Sequence, residues 1–408
     1  MSGAWTLEQA EAHLLSLELF GMRFGLERMR RLLTALGSPQ HDFRAIHVVG
    51  TNGKSSTVRM TAAILEAHGV RTGAYLSPHL STFAERVRIG DEDLAPAAFG
   101  AAVQRAAAAA AMVDRTLSGG ERVTQFELMT AAALSELAAR EVEVAVVEAG
   151  LGGRHDATNV LDAPVVALTN VGLEHTRWLG PTVSDIAREK LAVVAPGATL
   201  VVGELDPEAE AEVARVDARV VRARSGQESR LRGFQRANFA VARAAAEALA
   251  GPLDAAAVLR AAASVVVPGR FEVVAEDPLT IFDGAHNPSG VVALASALGE
   301  AIGDRPLVAV VSVLDDKDAA GMLRALMPLC SSAVFTASRN PRALSPATLA
   351  SLAGQLGGPP AEIEPDPRRA VQRARELAGR AGAVVATGSI YLVADLLSDP
   401  GRRAASAL

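Results

Sequence analysis

The chain has 408 residues, half of them hydrophobic, and a formal net charge of -6; that length favours two or three domains, and the lack of a Lys/Arg cluster interleaved with aromatics removes the footprint of a nucleic-acid binder. No segment approaches the roughly 18 uninterrupted apolar residues of a membrane span and no basic start leads into an apolar core, so a cytoplasmic protein with no membrane or nucleic-acid partner is expected. The single cysteine, Cys330, excludes an intramolecular disulfide and argues against a cysteine-based zinc site, leaving helix N-termini, isolated Lys or Arg and metal ions to hold any anionic ligand.

Residues 7 to 36 carry leucines and a phenylalanine at helical spacing and predict one or two amphipathic helices. From Phe43 the pattern changes to a short buried strand, Ile46-His47-Val48-Val49. It runs into Gly50-Thr51-Asn52-Gly53-Lys54-Ser55-Ser56, and helical periodicity then resumes to about His68. Strand signals recur at Val142 to Glu148, Pro164 to Asn170, Thr199 to Gly203 and Ala218 to Val221, separated by helical stretches. Strands alternating with helices predict a mainly parallel sheet covered on both faces. The alanine-rich run Ala101 to Ala111 reads as helix, since Ala is the best helix former.

Asn238 to Ala250 and Asp254 to Ala263 predict a helical pair, after which Val265-Val266-Val267-Pro268-Gly269 breaks the pattern. The expected boundary falls there. The fold class is then α/β, with an N-terminal domain over 1–267 and a smaller C-terminal α/β domain over 268–408, about 140 residues long with strands near Phe271, Leu279, Leu307, Ala333 and Ala383.

A strand, a glycine-rich turn holding Lys-Ser and then a helix make a phosphate cradle for a physical reason. Glycines let backbone N–H groups converge on phosphate oxygens, the helix N-terminus adds positive potential, and a lysine adds full charge. Lys54 is the phosphate lysine on this reading, and Ser55 or Ser56 the hydroxyl nearest a metal. The spacing G-x-x-G-K-S is two residues shorter than the common P-loop pattern. A glycine turn that binds nothing is the bland alternative; the lysine, the hydroxyls and the strand-to-helix context favour nucleotide binding. The loop alone leaves the reaction open, since kinases, GTPases and ligases all use such cradles.

Read in full, His47-Val48-Val49-Gly50-Thr51-Asn52-Gly53-Lys54 resembles the Mur ligase superfamily, in particular the folylpolyglutamate synthase and dihydrofolate synthase family. Ser77-Pro78-His79-Leu80, Thr124-Gln125-Phe126-Glu127, Glu148 through Arg154, Asp156-Ala157-Thr158-Asn159, His175 with Trp178-Leu179-Gly180, and Glu189-Lys190 follow in the family's order. Pro268 through Glu272, Asp283-Gly284-Ala285-His286-Asn287-Pro288, Asp316-Lys317-Asp318 and Thr387-Gly388-Ser389 continue it. The resemblance implies an N-terminal P-loop ATPase domain and a C-terminal Rossmann-like domain with the active site in the cleft between them. Two positions depart from the pattern: Glu174 stands where aspartate is usual, and His155 where leucine is common.

Making an amide from a carboxylate in water needs a better leaving group than oxide, so ATP first phosphorylates the acid and an amine then attacks. Mg²⁺, Lys and Arg suit that task more than a protein nucleophile does. The resemblance implies Ser77, Glu148 and His175 as metal ligands. Glu148 ends the apolar run Val144 to Val147, where a carboxylate is costly unless it meets a cation. It implies ATP contacts from Gly50 through Ser56, Asn238, Arg270 and Asp283, with His286 near Arg270, and catalytic roles for Lys54, Lys190 and His286. The lysine matching Lys190 is carbamylated in the family and holds a second Mg²⁺, which requires a neutral amine; by its residues alone Lys190 is an ordinary helix lysine on a helix starting after Pro181, with Thr182 near its cap. Thr124, Phe126 and Asp156 match positions facing the pteridine, with Glu127, His155 and Ala157 beside them as substrate-binding residues. Phe126 reads equally well as core without the match.

The implied function is a monomeric ligase that condenses dihydropteroate with L-glutamate and then adds glutamates to the γ-carboxyl of reduced folates. The alternatives weighed are a polyglutamylating enzyme without the first activity, a peptidoglycan-precursor ligase of the same superfamily, and a nucleotide-switch protein without ligase chemistry. Glu148, His175 and Lys190 have no clear purpose in a switch.

Overall fold

Alternating apolar runs and helices fold here into two sheets, each in its own compact unit. The structure, a computed structural model, describes residues 3–18, 25–225 and 231–398. Of these, one unit takes the residues up to 225 and 236–265, and the other takes 231–235 and 266–398.

The strands of the first unit are β1 (Arg44–Val49), β2 (Thr72–Tyr75), β3 (Val87–Ile89), β4 (Glu92–Asp93), β5 (Val144–Glu148), β6 (Val165–Leu168), β7 (Thr199–Val202) and β8 (Arg219–Arg222). They form one sheet in the order β4-β3-β2-β5-β1-β6-β7-β8. From β2 through β5, β1, β6 and β7 to β8 each strand is parallel to the next, while at the other edge β3 pairs antiparallel with both β2 and β4. β5 and β6 are buried along their whole length, as expected of strands covered on both faces.

The expected strands are present with ends that differ by one or two residues: β1 starts two residues earlier, β8 is shifted by one, and β5, β6 and β7 are shorter. β2, β3 and β4 are additions that sequence patterning did not signal: β2 reads Thr-Gly-Ala-Tyr, without the Val/Leu run that marks β5, β6 and β7, and β3 and β4 are only three and two residues long. The N-terminal amphipathic stretch forms two helices, Leu7–Ser16 and Glu27–Ala35; part of the segment joining them lies outside the described residues. The alanine-rich run lies within helix Pro96–Asp114, which buries Phe99, Val103, Ala106, Ala110 and Val113 against the core at helical spacing.

The register fixes the site. Val48 pairs with Glu148 and Val49 with Leu168 across parallel ladders, so the turn after β1, the last residue of β5 and the residues after β6 emerge side by side. That is the carboxyl edge at which open α/β sheets hold ligands.

The second unit has β9 (Glu272–Glu276), β10 (Leu279–Phe282), β11 (Leu307–Val311), β12 (Cys330–Phe335), β13 (Ala361–Ile363) and β14 (Ala383–Thr387), in the order β13-β12-β11-β14-β10-β9. All neighbours are parallel except the edge pair β9 and β10. Its core gathers Leu294, Leu298, Val311, Leu323 and Phe335. No described helix is long and apolar enough to cross a membrane.

Candidate active site

The turn Gly50–Gly53 connects β1 to helix Lys54–Glu66 in a conformation that only glycine adopts easily. Gly50 and Gly53 have φ of 151° and 82°, and a Cβ on Gly53 would sit 2.3 Å from Asn238 Oδ1. The loop is fixed from the neighbouring strand. Asn52 N donates to Asn170 Oδ1 at 2.9 Å, Asn170 Nδ2 and Thr169 Oγ1 both donate to the Asn52 carbonyl, and Thr51 N donates to the Asn170 carbonyl. Asn238, on helix Phe234–Ala250, is buried beside Gly53 with its Nδ2 unsatisfied by the protein. A buried donor without a partner is costly, so an acceptor arriving at this loop has a group ready for it.

Lys54 and Lys190 meet under the loop. Lys54 Nζ donates to the Gly50 and Thr51 carbonyls at 3.1 Å each, and Lys190 Nζ donates to the same Gly50 carbonyl at 2.8 Å. Lys190 lies on helix Val183–Leu191, which Thr182 and Asp185 start with a capping box, and is only 4% exposed. Burial first, and the Lys54 charge second, pull its amine down from the ordinary lysine range to about 7, against the opposing pull of Glu174 and Asp156.

Glu148 closes the far side of the cradle. Ser55 Oγ donates to its Oε1 at 3.0 Å and Ser77 N to its Oε2 at 3.1 Å. Of the two loop serines it is therefore Ser55 that reaches the carboxylate, while Ser56 is 2% exposed among the helix core residues. Among the described residues no three His, Cys, Asp or Glu side chains form a ready-made cation cage. One carboxylate with serine hydroxyls is nonetheless the hard-oxygen set that suits Mg²⁺, which keeps several waters and takes the remainder of its shell from phosphates. His175 is exposed at the head of the short helix Thr176–Leu179, with φ of 50° and its Nε2 3.8 Å from Glu174 Oε1.

A second polar group lies beside the same strands. Asp156 is buried, and its carboxylate accepts Leu151 N on Oδ2 at 2.8 Å and both Thr158 N and Thr158 Oγ1 on Oδ1. Burial raises its pKa while those donors oppose the shift. Phe126 and Asp156 flank one glycine: a Cβ on Gly150 would stand 2.5 Å from Phe126 Cζ and 3.0 Å from Asp156 Oδ2. Thr124 caps helix Gln125–Ala139 in a capping box with Glu127, and Glu127 also binds buried Arg28 through Nε and Nη2. Glu127 thus anchors the helix that presents Thr124 and Phe126. Ala157 is buried next to Asp156, whereas His155 turns outward and lines a pocket with Trp178, Leu179, Asp185 and Glu189.

In the second unit, Asp283 follows β10 and accepts Phe271 N and Ala285 N at 2.8 Å each. Burial raises its pKa, opposed by the neighbouring Arg270 charge. A Cβ on Gly284 would fall 2.3 Å from Arg270 Nη1, so glycine there makes room for the guanidinium. His286 Nδ1 lies 2.9 Å from the Gly284 carbonyl; a carbonyl only accepts, so Nδ1 carries the hydrogen. Asp283, Gly284, Arg270 and His286 therefore form one cluster.

Sequence reasoning missed Thr169 and Asn170, which brace the loop, and Arg28, which anchors Glu127. No local pattern marks them, since each acts on a residue more than ninety positions away. Thr158 did carry a signal, two positions after an aspartate, the spacing of a side-chain-capped turn.

The chain matches the Mur ligase middle domain over residues 48–248 and the Mur ligase glutamate ligase domain over residues 269–390. It is 37% identical over 381 residues to a Mycobacterium tuberculosis dihydrofolate synthase/folylpolyglutamate synthase, covering 82% of this chain and 78% of that protein. Folylpolyglutamate synthase from M. tuberculosis complexed with ADP superposes with a TM-score of 0.88 at 34% identity, over 97% of this chain and 99% of that one. The bifunctional folylpolyglutamate synthase/dihydrofolate synthase of Yersinia pestis, complexed with AMPPNP and a Mn ion, gives 0.85 at 31% identity over 96% and 97% of the two chains.

Proposed function

Because the chain belongs to the folylpolyglutamate synthase/dihydrofolate synthase family of Mur ligases, we propose that it is an ATP-dependent ligase joining L-glutamate to dihydropteroate and then to the γ-carboxyl of reduced folates. The observation that carries this reading is the convergence of Lys54, Lys190, Ser55 and Glu148 on one glycine turn. It gathers cationic and hard-oxygen groups where a triphosphate would lie.

Backbone N–H groups of 50–56 and Lys54 would hold the ATP phosphates, and Asn238 supplies a buried donor at the loop. Ser55, Ser77, Glu148 and His175 would hold Mg²⁺, with Lys190 as its carbamate serving a second ion; the metal, when bound, offsets charge on the phosphoryl oxygens. The substrate carboxylate attacks the terminal phosphorus, ADP leaves, and the glutamate amine displaces phosphate from the acyl phosphate. No side chain acts as nucleophile. Positioning and charge neutralisation provide the rate.

Arg270 is assigned to the charge of the transferred phosphoryl group, with His286 beside it, and Asp283 to the nucleotide. Phe126 and Asp156 are assigned to the pterin, the ring stacking on the heterocycle and the carboxylate accepting its N–H groups; Thr124, Ala157 and Glu127 shape and anchor that wall, and His155 lies at its rim. A monomer in the cytoplasm fits this reading.

The test is phosphate release with ATP, Mg²⁺ and glutamate, run against dihydropteroate and tetrahydrofolate separately. Turnover with both supports the bifunctional reading. Turnover with tetrahydrofolate alone reduces it to polyglutamylation, and turnover with neither, or only with a UDP-linked muramyl acceptor, overturns it.

A further inference from the structure

A histidine at the centre of an apolar strand needs a reason to be there. His47 is the fourth residue of β1, 1% exposed, and stands between Val147 of β5 and Val166 of β6 with Ile46 and Val48 beside it on its own strand. Burial depresses its imidazole to about 4, so it is neutral at working pH. Its Nε2 lies 2.8 Å from Thr158 Oγ1.

The direction of that hydrogen bond follows from the next one. Thr158 Oγ1 also contacts Asp156 Oδ1, and a carboxylate only accepts, so the threonine's one hydroxyl hydrogen points to Asp156. Oγ1 then faces His47 with a lone pair, and His47 Nε2 must carry the hydrogen. A directed chain results, from His47 Nε2–H to Thr158 Oγ1–H to Asp156 Oδ1. Without the histidine the hydroxyl could rotate away. With it, Oδ1 is held by two donors from Thr158, and Leu151 N fixes Oδ2.

We propose that His47, acting through Thr158, is a positioning residue that fixes the Asp156 carboxylate for recognition of the pterin ring. This rests on the assignment of Asp156 to the pterin made above. The chain begins three residues before Gly50 on the same strand, so one rigid element sets both the phosphate turn and the orientation of the ring-binding carboxylate. Thr158 and His47 touch no reacting atom; their effect passes entirely through Asp156.

The test is steady-state ligation of dihydropteroate by the full chain and its variants. His47→Leu should raise KM for dihydropteroate about five- to tenfold, the loss of one charge-directed hydrogen bond, with kcat and KM for ATP changed less than about twofold. His47→Gln, which returns an N–H near the Nε2 position, should recover most of the loss. In an Asp156→Ala background His47→Leu should add nothing. If His47→Leu proves insoluble, Thr158→Ala against Thr158→Ser makes the same comparison.

An unchanged KM for dihydropteroate in His47→Leu, while Asp156→Ala raises it, overturns the proposal and leaves the Asp156 assignment standing. Effects that multiply in the double variant, or a parallel rise in KM for ATP, also overturn it, since His47 would then act on the phosphate loop or the fold. If Asp156→Ala itself leaves KM unchanged, the assignment of Asp156 fails and this inference falls with it.

Discussion

Lys54 and Lys190 share one acceptor: both ammonium groups approach the Gly50 carbonyl oxygen, at 3.1 and 2.8 Å. Two amines on one carbonyl repel one another, and only Lys190 is deeply buried. The repulsion therefore falls on the lysine that water cannot help, and its proton is the one released near neutrality.

A neutral amine at that position can take up CO₂. With ¹³C-labelled bicarbonate, the protein should show a carbamate carbon resonance that grows as pH rises through about 7 and is missing from Lys190→Ala. The same variant should lose most turnover while ATP binding stays nearly intact. Unchanged turnover would remove the carbamate role.

Lys190 also sets a stability profile. Native Lys190 gives up its proton at about 7, whereas an unfolded lysine keeps it to about 10.4. Between those values the unfolded chain binds the extra proton, so this residue's burial becomes less unfavourable as pH rises. In metal-free, CO₂-free buffer, Lys190→Met should melt higher than the parent at pH 6.5, and the gap should narrow by pH 9.5. A gap that widens with pH would contradict the depressed amine.

The two loop serines should separate cleanly. Ser55→Ala removes a donor to Glu148 and should raise the Mg²⁺ concentration needed for half-maximal rate by about tenfold, whereas Ser56→Ala acts on packing and should shift Tm without changing the metal requirement. Magnesium titrations of the ligase rate decide it. Equal metal dependence in both variants would remove Ser55 from the metal's surroundings.

Arg28 and Glu127 form a buried pair, with side chains 9% and 8% exposed. Arg28→Met leaves Glu127 charged and without this partner, and should destabilise by about 3 kcal/mol in chemical denaturation. Arg28→Met combined with Glu127→Met should recover much of that loss. If the double variant is no more stable than the single, burial of the lone carboxylate is not the cause.

Gly284 should behave as a proxy for Arg270. A methyl there meets the guanidinium, so Gly284→Ala should lower kcat in the same direction as Arg270→Ala, by about tenfold or more. A variant with parental kcat would show that the arginine's present position is not the one used.

The sheet strands and the phosphate turn were legible because each is local: an apolar run, then glycines, then a lysine at a helix start. Short β2, β3 and β4 were not, since β2 takes its place only against β5, β3 only against β2, and β4 only against β3. The same division runs through the site. Lys54, Glu148 and Lys190 stand in recognisable segments, but the sharing of Gly50 between two lysines, the choice of Ser55 over Ser56 and the opposite headings of His155 and Asp156 are set by three-dimensional packing. His47 carries no role of its own in the sequence beyond its strand and the start of the His47 to Lys54 motif, although a lone imidazole in the apolar stretch Ile46 to Val49 is the visible sign that the strand does more than fill a core.

The bracing of Asn52 by Thr169 and Asn170 bears on the thermodynamics of encounter with ligand. A turn already held in shape surrenders little motional freedom when a nucleotide arrives, so this stretch should add little unfavourable entropy to complex formation. Loosening the brace, as in Asn170→Ala, should then move calorimetric entropy of nucleotide uptake in the unfavourable direction even where every atom that touches phosphate is retained.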